Sequence, residues 1–391
     1  MSYGVRDRLA GTGRETVVLA AVGALALLLA PFLVGPTQTR LLITIILFAV
    51  FSTAFNLLYG YTGLLSFGHA MFVAGAGYVA AKVFRGLGTS PAVESTFGGT
   101  SVLAAFLIAL VAGVLAAILL GVTIGYLCVQ REEIYFALLT LSFSMAIWAI
   151  VQQDISGQLG RYIGAGSLLD TGGSDGLPIS FRLLGDVDLF GLQFTLVDIN
   201  NYYAYYFIVL LISAGAMYAL WRIVRSPFGE ACKAIRENPE RAEALGIDRT
   251  YHSWMAFIIS GAFSGLVGVL FVPLRGGALP NLAHWSFSAF PVIMTVIGGP
   301  FAFLGPAAGA LVFEYVRELI SQVPMLEERW QLVFGLILLG VVIYFDNGVV
   351  GGLRRLRARY TDRGAAEADA AEDTPRTDVQ PDSDTERPED D

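Results

Sequence analysis

Residues 226–250 read SPFGEACKAIRENPERAEALGIDRT and form a charged island between two long apolar segments, at about 202–221 and 253–273. Pro239 stands where a helix would begin and Gly246 where one would end, so the stretch predicts two short helices joined by a turn. A structured polar hairpin held between two membrane spans is typical of a docking surface for another protein. The alternative is a solvated helix pair that binds no partner.

The hydropathy pattern of the whole chain predicts an all-α polytopic membrane protein, surrounded by membrane lipid. Of its 391 residues, 55% are hydrophobic and only 15% are charged. A bilayer core of about 30 Å requires about 20 apolar residues in each spanning helix. About ten segments approach this length, and we place them at 17–34, 41–59, 63–81, 102–128, 134–151, 202–221, 253–273, 284–299, 303–321 and 330–346. These segments are too long and too uniformly apolar for the strands of a membrane barrel.

The distribution of positive charge predicts the orientation of the chain in the cell (plasma) membrane. Lysine and arginine are enriched in cytoplasmic loops, and here they concentrate at both ends of the apolar region and in the 226–250 loop. We therefore expect a cytoplasmic N-terminus (1–16), a transmembrane domain (17–353) with a large external loop (152–200), and an acidic, disordered cytoplasmic tail (354–391). The first apolar segment is interpreted as a retained span, since no small-residue cleavage site follows it.

Residues 60–70 read GYTGLLSFGHA, which is unusually rich in glycine for a membrane span. Each glycine weakens a helix by about 1 kcal/mol relative to alanine. A helix broken at membrane depth is tolerated where the backbone faces protein or a water-filled cavity. Gly63, Ser66, Gly68 and His69 are therefore candidates for a broken or re-entrant segment that lines a translocation pathway. The alternatives are close helix packing through the glycines and a buried, hydrogen-bonded His69.

Several of these motifs resemble one family of permeases. The core Glu-x-Ala-x-x-x-Gly, at Glu240, Ala242 and Gly246, resembles the coupling loop of ABC importer permeases, and its surroundings resemble the branched-chain amino acid (LivM-type) branch. GLLSFGHA within residues 60–70 and TGGSDGL at 171–177 are similar to further motifs of that branch. GGPFAFLGPAAGA, at 298–310, also resembles the family, although a phenylalanine replaces a usual glycine at its fourth position.

The resemblance implies the transmembrane permease subunit of an ABC importer for branched-chain or related amino acids. It implies four kinds of partner: a second homologous permease subunit, two ATP-binding subunits and an external solute-binding protein. ATP would be used by the partner subunits, and this chain would bind no cofactor of its own. In this interpretation the cytoplasmic coupling helix docks on the ATPase through residues Arg236, Glu237, Asn238, Glu240, Ala242 and Gly246.

The sequence argues against other functional classes. It contains no Gly-x-x-x-x-Gly-Lys-(Ser/Thr) motif, because Lys82 and Lys233 are its only lysines and neither follows such a loop. We therefore expect a transport subunit without an ATPase site, with no metal site and no nucleic-acid partner. A permease of the same superfamily for urea, amides or sugars is the nearest alternative. An ion-coupled secondary transporter is a second alternative, with Glu314 as its one candidate carboxylate, although Glu314 and Arg317 are also spaced to form a local pair.

Overall fold

The computed structural model describes residues 23, 25–87, 101–130, 133–164, 169–179, 186–189, 192–195, 202–323, 329–344 and 348. The predicted N-terminal segment 1–16 and the predicted tail 354–391 lie outside the described residues. So do parts of the predicted external loop and the first residues of the first predicted span.

The described residues form an all-α polytopic fold, as predicted. Apolar helices follow one another along the chain, and two small two-stranded sheets are the only extended pairs in the described ranges. The helices are α1 (25–33), α2 (Pro36–Thr62), α3 (Ala70–Leu87), α4 (Ser101–Val129), α5 (Glu133–Gln152), α6 (Ile155–Tyr162), α7 (Tyr203–Val224), α8 (Pro227–Glu237), α9 (Pro239–Ala244), α10 (Arg249–Arg275), α11 (Trp285–Gly298), α12 (Gly305–Ser321) and α13 (Trp330–Tyr344).

Six of these helices, α2, α3, α4, α5, α7 and α10, are long and apolar enough to cross a membrane. The other predicted spans within the described residues are shorter. Helix α11 has 14 residues, which is about 21 Å at 1.5 Å per residue and less than a bilayer core. It is short because a turn of 3₁₀ helix, Pro280–Ala283, precedes it and Gly299, with φ of +101°, ends it.

Helices α2, α3 and α10 form the centre of the domain. They are largely buried, whereas α4, α5 and α7 expose much of their surface. The exposed side chains of α4 recur every fourth residue, at Leu107, Val111, Leu115 and Leu119, and so form one apolar stripe. A stripe of this kind is suited to contact lipid.

Small residues bring α3 and α10 into close contact. A Cβ added at Gly268 would lie 2.8 Å from the carbonyl carbon of Val73, and one added at Gly261 would lie 2.7 Å from a ring carbon of Phe72. Close backbone approach through glycine is a common way to pack helices in membranes. This packing fixes α3 against α10.

The two ends of the helical domain differ. At one end, α8 and α9 extend between α7 and α10. At the other end, β1 (Leu177–Pro178) pairs antiparallel with β4 (Gly277–Ala278), and β2 (Asp186–Leu189) pairs with β3 (Leu192–Thr195). If the charge-based topology holds, the first end is cytoplasmic and the second is external.

Candidate functional site: a coupling hairpin and a broken membrane segment

Helices α8 and α9, here called the coupling hairpin (Pro227–Ala244), have local signals at each end. Pro227 and Pro239 occupy first-turn positions, where the missing N–H costs nothing. Between the helices, the side-chain oxygen of Asn238 accepts a hydrogen bond of 2.9 Å from the backbone N–H of Arg241. Gly246 ends the hairpin in the left-handed region, with φ of +85°. The predicted helix–turn–helix is therefore confirmed.

The coupling hairpin has a buried face and an exposed face. Cys232, Ile235 and Ala242 are buried toward the membrane domain. Burial raises the pKa of the Cys232 thiol to about 12, so this cysteine is a packed, protonated group. The exposed positions among the predicted coupling residues are Glu237, Asn238, Glu240 and Gly246. These four are accessible for docking, and their role in docking stays a prediction.

Arg236 is oriented differently from its neighbours. Its guanidinium donates a hydrogen bond to the carbonyl oxygen of Gly60, at the end of α2. It also lies 5.2 Å from the ring centroid of Phe301, in the turn between α11 and α12. A weaker ion pair, 3.8 Å long, joins it to the exposed carboxylate of Glu237. Arg236 therefore fastens the hairpin to two elements of its own membrane domain.

The chain between α2 and α3, residues 63–69, is here called the broken segment because it contains no helix. It begins beside the coupling hairpin, where a Cβ added at Gly63 would lie 3.2 Å from Cγ of Arg236. It ends inside the domain, where the backbone N–H of Ala70 donates a 2.8 Å hydrogen bond to Oγ of Ser288, in the first turn of α11. The predicted third span is thus an extended stretch followed by helix α3.

Gly68 passes directly against α5. A Cβ at this position would overlap the carbonyl oxygen of Thr140 and lie 2.7 Å from its carbonyl carbon. Oγ1 of Thr140 also accepts a hydrogen bond of 3.3 Å from the backbone N–H of Phe67. Ser66 is fully buried, and its Oγ accepts a hydrogen bond from the N–H of Gly68. Gly68 therefore allows the broken segment to pack closely against α5.

His69 is fully buried, and its contacts fix its tautomer. Oγ of Ser260 donates to the carbonyl oxygen of Ala54 at 2.6 Å, so it is free to accept from Nε2 of His69, 2.8 Å away. Nε2 therefore carries the proton. Nδ1 has no hydrogen-bond partner among the described residues, and edge-on contacts with phenylalanine rings surround the imidazole. This geometry favours the packing interpretation, and contact with cargo stays a prediction.

On the opposite side of the domain, the predicted 171–177 motif forms a fixed turn. Thr171 donates from its backbone N–H and its hydroxyl to Oδ1 of Asp154, at 2.8 and 2.9 Å. Partial burial alone would raise the pKa of Asp154, but these hydrogen bonds, with the nearby Arg161, hold that pKa below its usual value. The turn then leads into β1, which pairs with β4.

Sequence reasoning identified the 60–70 motif and the hairpin but missed the side chains that they contact. Thr140, Ser260, Ser288 and Phe301 each lie far along the chain from their partners. Phe301 did carry a signal, since it departs from the family motif. The expected local pair of Glu314 and Arg317 is present, with Oε1 and Nη1 3.4 Å apart.

Gly63 and Gly246 allow the backbone and packing roles of these glycines to be separated. Both have positive φ, +81° and +85°, but only Gly63 has a neighbour within reach of an added Cβ. We expect Gly246→Ala to lower the free energy of unfolding by about 1–2 kcal/mol, the cost of left-handed backbone alone. Gly63→Ala should cost more, because Arg236 must also move. Thermal unfolding of the purified variants measures both, and equal losses would contradict the contact between Gly63 and Arg236.

A multi-pass helical domain with a broken central segment and a hairpin docked at one end defines a membrane permease. The chain belongs to the family described as branched-chain amino acid transport system / permease component, whose model matches residues 38–342.

Individual relatives agree with this membership. The chain is 24% identical over 359 residues to the high-affinity branched-chain amino acid transport system permease protein LivM of Escherichia coli (strain K12), covering 87% of this chain and 76% of that protein. It is 23% identical over 339 residues to the probable branched-chain amino acid transport permease protein LivM of Methanocaldococcus jannaschii, covering 78% and 90%. The autoinducer 2 import system permease protein LsrC of Salmonella typhimurium (strain LT2) is 29% identical over 212 residues, covering 51% and 55%. No solved structure gives a significant match.

Proposed function

We propose that this chain is the permease subunit of an ABC importer that moves branched-chain or closely related amino acids into the cell. The family membership and the names of the two LivM relatives support the substrate class. The single observation that carries the coupling role is the hairpin, which is accessible on one face and is fastened by Arg236, on the other, to the end of α2 and to the turn between α11 and α12. A force on its exposed face would reach the membrane domain through Arg236.

The proposed assembly contains a second homologous permease, two ATP-binding subunits and an external solute-binding protein. The exposed Glu237, Glu240 and Gly246 would meet the ATP-binding subunits in the cytoplasm, and the turn at Thr171 would face the solute-binding protein outside. Both termini would be cytoplasmic. ATP would bind only to the partner subunits, and solute selectivity would come largely from the solute-binding protein.

Co-purification and competitive uptake test this proposal together. A tagged chain expressed with its genomic neighbours should retain a second permease and ATP-binding subunits through solubilisation. Cells that carry the complete set should take up leucine, and unlabelled isoleucine or valine should compete, whereas urea or ribose should not. Purification of the chain alone, or competition by urea but not by isoleucine, would contradict the proposal.

A second candidate is a permease for a sugar-like solute. The observation that favours it is the LsrC relative, whose identity of 29% exceeds that of the LivM relatives although it covers half of each chain. The same competition assay decides between the two candidates. Ion-coupled transport has weaker support, because Glu314, the one buried carboxylate in the described part of the chain, is already paired with Arg317.

Substitutions on the exposed face of the hairpin should stop transport without harming insertion. Glu240→Arg reverses an exposed charge, and Gly246→Pro removes the N–H that donates to Glu243 at 2.9 Å and is incompatible with a φ of +85°. We expect both variants to reach the membrane in normal amounts and to show no ATP-driven uptake. Normal uptake by both variants would show that the hairpin does not couple transport to the ATPase.

A further inference from the structure

A polar cavity of about 410 Å³ lies between the outer ends of α2, α10 and α12, at the end of the domain opposite to the coupling hairpin. Arg40, which lines it, and Gly60, which binds Arg236, are both on α2 and are separated by about 30 Å of helix. The volume lies within the range of about 300–1,000 Å³ that is usual for small-molecule sites.

The walls of this outer cavity carry an unusual set of charges for a membrane domain. Arg40, Arg275, Arg317, Glu314 and Glu318 all line it. Three arginines therefore face two glutamates, which leaves one positive charge in excess. Ionisable groups inside membrane proteins are costly and commonly mark functional sites.

The three arginines differ in their hydrogen-bond and ion-pair partners. Arg317 pairs with the buried carboxylate of Glu314 at 3.4 Å, and Nη2 of Arg40 donates to the carbonyl oxygen of Leu274, also at 3.4 Å. Arg275 has no hydrogen-bond acceptor among the described residues, and its guanidinium lies 5.2 Å from the ring centroid of Phe271. Arg317 and Arg40 repel it electrostatically, whereas Glu314 attracts it. An anionic ligand group would offset the repulsion between the arginines.

We propose that the outer cavity binds the zwitterionic head of an amino acid as the amino acid enters the permease, an inference that rests on the proposed function. The carboxylate would accept hydrogen bonds from Arg275, whose planar guanidinium suits two parallel bonds. The ammonium group would lie against Glu314 and Glu318. Leu41, Leu274 and Phe271, which also line the cavity, offer an apolar surface to a branched side chain.

Cysteine labelling of the full-length chain tests this site without transport. Ser321 lines the cavity and is exposed, whereas the native Cys128 and Cys232 are both buried. Leucine should slow the reaction of Ser321→Cys with a maleimide in detergent, in proportion to occupancy. Tyr162→Cys is the matched control, because that side chain is 94% exposed and does not line the cavity.

The charge chemistry is tested with ligand analogues and with one further variant. We expect 3-methylbutylamine, which lacks the carboxylate, and 4-methylpentanoate, which lacks the ammonium, to protect far more weakly than leucine. Adding Glu314→Gln should raise the leucine concentration for half-protection about tenfold or more. If this variant fails to fold, the two analogues still test the proposal, because they are measured on a chain whose cavity charges are unchanged.

Three outcomes would overturn the proposal: no protection by leucine, equal protection by 4-methylpentanoate, or protection by phosphatidylethanolamine instead of leucine, which would assign the cavity to a lipid headgroup. The labelling requires neither the ATPase nor the solute-binding protein. Leucine uptake without protection would therefore reject the cavity alone, whereas the absence of branched-chain uptake by the complete transporter would reject the proposed function.

Discussion

Arg236→Gln should reduce ATP-driven uptake about tenfold or more, although the chain still inserts and assembles. The guanidinium of Arg236 holds the carbonyl of Gly60 and lies against the ring of Phe301, so it joins the coupling hairpin to the ends of two membrane elements. A hydrogen bond to a charged group contributes about 1.5–3 kcal/mol, which corresponds to at least a tenfold change in an equilibrium. Glutamine is too short to replace this contact. Uptake per assembled transporter, normalised to ATP hydrolysis, measures the effect.

Arg222→Gln is the matched control for this variant. Arg222 is in the last turn of α7, at the same end of the domain, and it is exposed. The two substitutions remove the same charge from the same end of the domain, but only one removes the contact with Gly60. We expect Arg222→Gln to keep most of the uptake. Equal losses in the two variants would attribute the effect to positive charge at this end of the domain and contradict the fastening role of Arg236.

Gly68→Ala should markedly destabilise the membrane domain. The added methyl group would overlap the carbonyl of Thr140, which is backbone and cannot rotate away. Overpacking of a tight core costs about 1–3 kcal/mol and occasionally more, which is a large part of a typical stability. The expected result is a marked loss of monodisperse protein after solubilisation and a lower midpoint of thermal unfolding.

Gly215→Ala provides the comparison for this second prediction. Gly215 lies inside α7, and beyond the adjacent backbone of its own helix no atom is within 4 Å of an added Cβ. Alanine favours a helix by up to about 1 kcal/mol over glycine, so this variant should be as stable as the natural protein or slightly more stable. If Gly68→Ala behaved like Gly215→Ala, the close passage of the broken segment against α5 would be wrong.

Much of the architecture is predictable from local signals. Hydropathy identifies most membrane helices because a long apolar run in lipid can satisfy its backbone only as a helix. The ends of the hairpin are predictable because Pro239 and Gly246 have strong positional preferences. The break after α2 is also indicated, since Gly63 and Gly68 weaken a helix within a few residues of each other.

The contacts of the candidate site are less predictable because they join distant parts of the chain. Arg236 and Gly60 are separated by 176 positions, and no periodicity indicates that this arginine turns toward its own domain. The short length of α11 is also not predictable from the sequence, because hydropathy reports which residues are apolar and not the depth at which the helix begins. The outer cavity collects Arg40, Arg275 and Glu314 from three helices, and their shared location emerges only from tertiary packing.

The central claim is that a separate ATPase drives this permease through the coupling hairpin. The most direct test is leucine accumulation in sealed vesicles that contain both permeases and the solute-binding protein, with and without the ATP-binding subunits. The account predicts accumulation against a gradient only when those subunits and ATP are present, and its loss when Glu240→Arg is introduced. Equal accumulation without the ATP-binding subunits would contradict it.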